Sequence, residues 1–526
     1  MLSLLALLSG KDTEIVALKE KVEELEKRLA KEQRVPSKPD VGASQLDKTP
    51  KDKGVDKAKK ARKNGKKPKK KDLTIHDKKL IKAEGVPQDW VFVKHSSVII
   101  EDVVLQAHNV CYQLEVWRSP DGKQQMTAEL PLALQGSQFG PMLRTLILAL
   151  YHDLDSTQPC IKEFLKNIGV AISVGSISNF LIEKQDLFHK EKEQILEVGK
   201  KNSIELRTDD TGAKHNHQNY FTNCINTDYF AYFQTSKTKS RINFLEILRQ
   251  QNTAYTLNES SLEYYESVGC PKFGYELLKR AFSENGKRVF KNQEELNSYL
   301  AKHQITGSVT KRVITEGLLI GTIVVDGFDE KTIIHSDEAG QFALFVHSLC
   351  WKHVERPLRK LKTYTALQEK QLEQVKHQFW QLYQRLKKYK LEPDPNLVKS
   401  LSEQFDKLCE HKEGFFALNT ILDKILKKKS KMLVVLQSPQ SSLHNNDSER
   451  DIRGFVKRRK ISGSTKSEAG LKAKDTFMSL KKTCKKLGIS FWEYLKDRIH
   501  KTNQIPNLAK IIEQKMNAEF LNSANA

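Results

Sequence analysis

The sequence predicts a mixed α/β chain in several structural units, built on a core of strands that helical segments interrupt. Three observations predict it. From Ser203 onward the pattern turns to β-type runs at 204–212, 220–225 and 229–234, joined by short connectors, and then to an amphipathic helix at 241–250. The stretches 140–200 and 352–429 read as helices, the second with repeated Leu, Gln and Lys. The length of 526 residues exceeds what one hydrophobic core ordinarily serves, so about two to four units are expected.

In chain order, Ile15, Leu18, Val22, Leu25 and Leu29 form the a/d seam of a short heptad helix with Glu, Lys and Arg between them. A coiled coil over 1–34 is expected, either joining two copies or packing on its own subunit. The apolar start before it resembles a short signal segment, but it lacks a basic leader and reads as the first turns of this helix. Residues 35–80 lose apolar periodicity and become rich in Lys, Pro, Gly and Asp, the composition of a disordered basic linker. Over 81–133 short β-like runs (91–93, 97–100, 111–117) alternate with turn signals such as Ser119-Pro-Asp-Gly122, which predicts a small β-rich module.

The region 134–202 predicts a helix-turn-helix. One helix ends near Gly169 and a second begins after Ser173, a residue type that caps helices by accepting a backbone N–H. The second helix would offer Ser176, Asn179 and Lys184 to DNA while Ile177, Phe180 and Leu181 pack inward. An ordinary helical hairpin has the same pattern.

Composition narrows the partner. The chain carries 88 Lys and Arg against 65 Asp and Glu, a formal net charge of +23. Close to half of that excess lies between Lys48 and Lys71. Nucleic acid suits such a distribution better than a membrane, because many separate phosphate contacts release counterions and no amphipathic basic anchor is evident. No stretch approaches the ~18 apolar residues of a spanning helix. The seven cysteines are scattered, with no C-x-x-C pair, as in a protein of the reducing cytosol.

Three strands, a helix and a further strand at 332–337 give the order of a ribonuclease-H-like core. Such a core sets carboxylates at the ends of adjacent strands, where two divalent cations can be shared. Four blocks stand in order along the chain: Asp209-Asp-Thr-Gly212, His335-Ser-Asp-Glu-Ala-Gly-Gln-Phe342, Ser348-Leu-Cys-Trp-Lys-His-Val-Glu-Arg356 and His444-Asn-Asn-Asp-Ser-Glu-Arg-Asp-Ile-Arg453. With the N-terminal heptads, Pro36-Ser-Lys-Pro39 and Lys460-Ile-Ser-Gly-Ser-Thr465, they resemble the large transposase of the bacterial insertion-sequence sixty-six family, a DDE transposase.

The resemblance implies that Asp209, Asp337 and Glu449 are catalytic and bind two Mg2+ ions, with Mn2+ an alternative. Asp210 competes with Asp209 for the first position, because strand alternation alone does not decide which faces the metals. Asp447 and Asp451 are weaker candidates than Glu449. Cys350 and His353 form a C-x-x-H string with no second pair to complete a zinc site, so they are expected to support the active site from behind. His215-Asn-His217 reads as a polar hairpin tip.

The implied reaction frees a 3′ hydroxyl at the element end, which then attacks target DNA. The partners are DNA, a second copy of the chain and accessory proteins of the same element, in the bacterial cytoplasm at the nucleoid. The core is expected over 203–351 and 431–500, split by a helical insertion at 352–430, with a C-terminal helix or tail at 501–526. Arg453, Lys457, Arg458, Arg459 and Lys460 are candidate DNA contacts. Two rival readings are a catalytically silent DNA-binding derivative and a nuclease without strand transfer. Relatives often carry a cysteine-rich zinc module after the linker, which 81–133, holding only Cys111, does not reproduce.

Overall fold

A computed structural model describes residues 75–131, apart from Val86 and Asp89, and 138–524. The heptad helix and most of the basic linker lie outside them. The chain divides into a unit ending at Gln106 and a unit beginning at Ala107. In the first, the described residues have neither helix nor strand, so the runs 91–93 and 97–100, expected as strands, are irregular. A strand needs a neighbour to take its backbone groups, and these runs have none.

In the second unit a hairpin comes first. Strands β1 (Val116–Arg118) and β2 (Gln125–Thr127) pair antiparallel around the anticipated Ser119-Pro-Asp-Gly122 turn, where Gly122 takes φ +68°. Residues 111–115 add no strand. Four helices follow: α1 (Pro141–His152), α2 (Gln158–Asn167), α3 (Val174–Ile182) and α4 (Asp186–Asn202). Ser173 caps α3 by accepting from the Ser176 N–H at 3.0 Å, and Ile177 and Leu181 are buried.

The centre is a five-stranded mixed sheet. Its strands are β3 (Glu205–His215), β4 (Gln218–Asn226), β5 (Ala231–Ser236), β8 (Ile333–Ser336) and β9 (Val346–Leu349), in the spatial order β5-β4-β3-β8-β9. The first three form the expected antiparallel meander, and β8 and β9 run parallel to β3. Both faces are covered. Along β4 and β5, Ile225 and Tyr232 enter one apolar cluster, while Cys224, Ala231 and Phe233 enter another, as the two-residue period of a strand requires.

Helix α5 (Arg241–Arg249) follows β5, capped by Ser240. A segment then intervenes before β8, comprising the small antiparallel pair β6 (Tyr255–Leu257) and β7 (Arg288–Phe290) and the helices α6 (Glu259–Val268), α7 (Lys272–Asn285), α8 (Gln293–Lys302) and α9 (Ser308–Val325). Helix α9 is buried from Val313 to Ile323. At Gly321 a Cβ would stand 2.2 Å from the Thr256 carbonyl oxygen, so β6 can cross there only over glycine.

After β9 come α10 (Trp351–Lys360), α11 (Ala366–Leu391), α12 (Pro395–Leu408), α13 (Phe416–Leu426) and the single turn α14 (Lys429–Met432). They close a hydrophobic cluster of their own around Trp351, Phe379 and Phe405. The chain returns to the sheet with α15 (Asn446–Ser462) and α16 (Glu468–Leu487), and ends in α17 (Phe491–His500) and α18 (Leu508–Ala524).

Helix α16 solves the edge problem of β5. The outward N–H groups of Ala231, Phe233 and Thr235 donate to Thr483 Oγ1 (3.2 Å), Ser479 Oγ (2.8 Å) and Asp475 Oδ2 (2.6 Å). Those acceptors recur every four residues, one per helical turn, so a helix face takes the place of a sixth strand. Among the described residues no helix is long and apolar enough to cross a membrane.

Candidate active site

The sheet and α15 place three carboxylates, distant in sequence, within electrostatic reach of one another. Asp209 lies midway along β3, opposite Cys224 of β4. Asp337 follows β8 directly, beyond the parallel register Arg207↔His335. Glu449 is in the first turn of α15. Burial pushes the Asp209 carboxyl up from 3.8 to about 7, and the negative charges of Asp337, Asp210 and Glu449 add to the rise, while the Asp210 N–H bonded to its Oδ1 opposes it. Three acids from separate segments therefore share one electrostatic neighbourhood.

The neighbouring Asp210 is engaged elsewhere. Its carboxylate accepts from Gln341 Nε2 and lies 3.6 Å from Lys239 Nζ. Burial raises its pKa, and Lys239 and Gln341 pull against that rise. Asp209 has no side-chain cation in contact among the described residues, which leaves its carboxylate the freer of the two. Asp337 is oriented by its own loop, its Oδ1 accepting from the Ala339 N–H at 2.9 Å.

The position of Glu449 is set by the start of α15, which three bonds lock to the sheet. Asn445 Nδ2 donates to the Thr208 carbonyl at 2.8 Å. Arg207 bridges Asp447 on α15 (3.0 Å) and Asp228 in the β4–β5 turn (2.7 Å). Asn226 Nδ2 donates to Ser448 Oγ at 2.8 Å. Asp451 pairs with Lys482 and Lys486 at 3.5 and 3.0 Å. Asp447 and Asp451 thus have partners of their own, and of this block it is Glu449 whose charge is felt at Asp209.

Cys350 and His353 stand behind it. The Cys350 thiol is buried, and its Sγ accepts from the Asn445 N–H at 3.2 Å. His353 Nε2 lies 3.6 Å from Glu449 Oε1, and Arg356 comes within 3.9 Å of the same oxygen. Burial and Arg356 lower the His353 pKa, while Asp337, Glu449 and Glu338 oppose them.

The donor set suits a hard cation. Asp209, Asp337 and Glu449 offer carboxylate oxygens alone, which match Mg2+ and leave room for its waters. Burial and, to a lesser degree, the neighbouring negative charges disfavour the Asp209 carboxylate, and a bound cation would offset both. Among the described residues no three His, Cys, Asp or Glu side chains are already gathered as a cage, and Glu449 rests against His353 and Arg356.

The remaining anticipated residues are dispersed. Asn179 and Lys184 are exposed on and just past α3, and Ser176 is half-buried. On α15, Arg453 and Lys460 are exposed, Arg459 is half-buried, and Lys457 pairs with Asp155 at 3.0 Å. Arg458 departs from its expected role. It is buried, 3.9 Å over the Tyr151 ring, and donates to the Ser156 carbonyl, because it falls on the helix face opposite solvent. His215 and His217 flank the β3–β4 turn, with Asn216 and His217 at φ +43° and +65°. Arg207, Asn226, Lys239 and Gln341 were missed by sequence reasoning. Gln341 and Asn445 lie inside quoted blocks, but their partners are remote in sequence.

A model of the transposase IS66 family matches residues 287–473, which hold Asp337, Cys350, His353 and Glu449. An uncharacterized protein, y4jO, of Sinorhizobium fredii (strain NBRC 101917 / NGR234) is 37% identical over 324 residues, 61% of this chain and 100% of that protein. On the matched domain and the ordered blocks that run through it, the chain belongs to the transposase IS66 family.

Proposed function

We propose that the chain is a DNA transposase of DDE type, with a ribonuclease-H-like core in which Asp209, Asp337 and Glu449 bind two Mg2+ ions, Mn2+ being a substitute. The observation that carries this reading is the shared neighbourhood of these three acids, one on β3, one after β8 and one on α15. The sheet order, with an antiparallel meander flanked by two strands parallel to its first, supports the core assignment.

Divalent cations bound there supply the charge that activates an attacking oxygen and stabilises a leaving one. The protein's own part is positioning. Asn445, Arg207 and Asn226 fix α15 against the sheet, His353 and Arg356 hold Glu449, and Gln341 and Lys239 keep Asp210 aside. DNA as substrate puts the protein at the bacterial nucleoid in the cytoplasm. Pairing two element ends calls for two copies, with the heptads at 15–29 as their joint, and accessory proteins of the element complete the assembly.

The test is strand transfer by the purified full chain with Mg2+, on DNA bearing the sequences that flank its coding region. Wild type is expected to join ends to target, and Asp337→Asn to lose joining while still binding DNA. Cutting without joining would show a nuclease. Binding without either reaction in wild type would show a silent derivative.

A further inference from the structure

Helix α15 carries a second feature that begins at Glu449. At 100° per residue, Arg453, Val456 and Lys460 follow Glu449 along its own flank of the helix, four, seven and eleven positions on. Arg453 and Lys460 are exposed, and with Arg459 they have no ion-pair partner among the described residues. On one side of that flank the basic residues are engaged, Arg450 with Asp447 at 3.4 Å and Lys457 with Asp155 at 3.0 Å, while Arg459 lies about 80° round on the other side.

The edge of β3 runs alongside. Strand β8 pairs only with Glu205–Arg207, and the next backbone bridge on that side is His215↔Thr465. Between the Thr208 carbonyl, taken by Asn445, and that bridge, the side of β3 away from β4 has no strand partner among the described residues. Gly212 leaves this stretch without a side chain, and Arg459 Nη1 lies 3.5 Å from where its Cβ would be. An open strip of backbone therefore faces unpaired cations, and both lead away from the carboxylates.

Resting on the function proposed above, we propose that this flank of α15 grips the backbone of the DNA strand adjoining the scissile phosphate, with Arg453, Arg459 and Lys460 as its phosphate contacts. At 1.5 Å per residue, Arg453 is about 6 Å and Lys460 about 16 Å beyond Glu449 along the helix. One DNA strand advances about 3.4 Å per nucleotide, so the contacts cover about three nucleotides and end roughly four to five from Glu449. Phosphate contacts fix register without reading sequence, as positioning a cut requires.

The test separates the rail from the chemistry. Full-length protein carrying Asp337→Asn is titrated against a labelled random-sequence duplex of about three helical turns across a salt series. Adding Arg453→Gln, Arg459→Gln and Lys460→Gln is expected to flatten the slope of log affinity on log salt by roughly two to three. A control triple with the same charge change, Lys279→Gln, Lys287→Gln and Lys302→Gln, is expected to leave it unchanged. Equal slopes for the two triples would overturn the rail, whether both fall or neither does. Arg453→Glu alone, at an exposed position, carries the test should the triple fail to melt like the parent. Absence of strand transfer in wild type would sink the proposed reaction without altering this readout.

Discussion

The Sγ of Cys350 accepts a hydrogen bond from the Asn445 N–H at 3.2 Å, although the two stand 95 positions apart in the chain. The Asn445 side chain passes the connection on, donating to the carbonyl of Thr208, the residue before Asp209. The start of α10, the start of α15 and the middle of β3 are thus tied at one point. Replacing Cys350 by Val keeps its bulk but leaves a buried N–H without an acceptor, at a cost of about 1–3 kcal/mol. Cys350→Ser, which restores an acceptor, should recover most of that stability in urea melts. If Cys350→Val matched wild type in both stability and strand transfer, the tie would have no consequence.

On the proposed function His353 positions Glu449, lying 3.6 Å from its Oε1. Removing it should spare the core, since the Glu449 side chain is still 29% exposed and close to Arg356. His353→Ala is therefore expected to raise the Mg2+ concentration needed for half-maximal strand transfer several-fold, with a melting temperature near that of wild type. Glu449→Gln should abolish the reaction at any Mg2+ concentration. An unchanged Mg2+ requirement in His353→Ala would mean that Arg356 alone holds the carboxylate.

The parts legible from sequence were those whose determinants are local. β3 to β5 announced themselves by alternation and short turns, and α3 by its Ser173 cap. β9 escaped notice because Val346–Leu349 contains His347 and Ser348, polar residues satisfied by Ser336 (2.8 Å) and His335 (3.1 Å) from β8. Arg458 was misjudged because four consecutive basic residues cover every side of a helix, so one had to face inward. The ordered acidic blocks pointed to Asp209, Asp337 and Glu449, but what distinguishes Asp210 from Asp209, its contacts with Lys239 and Gln341, comes from segments remote in sequence.

Stability should fall in acid through His152. This imidazole is buried and stacks on Phe477 at a centroid distance of 4.2 Å. Burial lowers its pKa well below 6.5, and the charges of Arg458 and Lys481 lower it further. Below pH 6.5 the unfolded chain gains a proton there that the folded chain refuses, so this contribution is intact above that pH and lost as pH falls, by about 1.4 kcal/mol per unit. His335 and His347, both held at about 3, act in the same direction. His152→Phe, which keeps the stack, should lose stability less steeply between pH 6.5 and pH 5 in denaturant titrations. Identical slopes would mean that the ring does not titrate on unfolding.

The segment between α5 and β8 reaches the active-site loop through Arg241. Its Nη2 donates to the Gly340 carbonyl at 2.8 Å, three residues after Asp337, while Nη1 reaches Tyr264 Oη at 2.8 Å and Glu316 at 3.4 Å. Glu316 is buried, and Arg312 is its other cation, at 3.2 Å. Arg241→Met strands part of that charge and should cost about 3 kcal/mol, the low end for a broken buried pair because Arg312 remains. Adding Glu316→Gln removes the stranded charge and should restore much of the stability. It leaves the Gly340 carbonyl without its donor, so strand transfer by the double variant should stay well below wild type. Full recovery of both would confine Arg241 to holding the core; recovery of stability alone would mark this inserted segment as the brace behind Asp337.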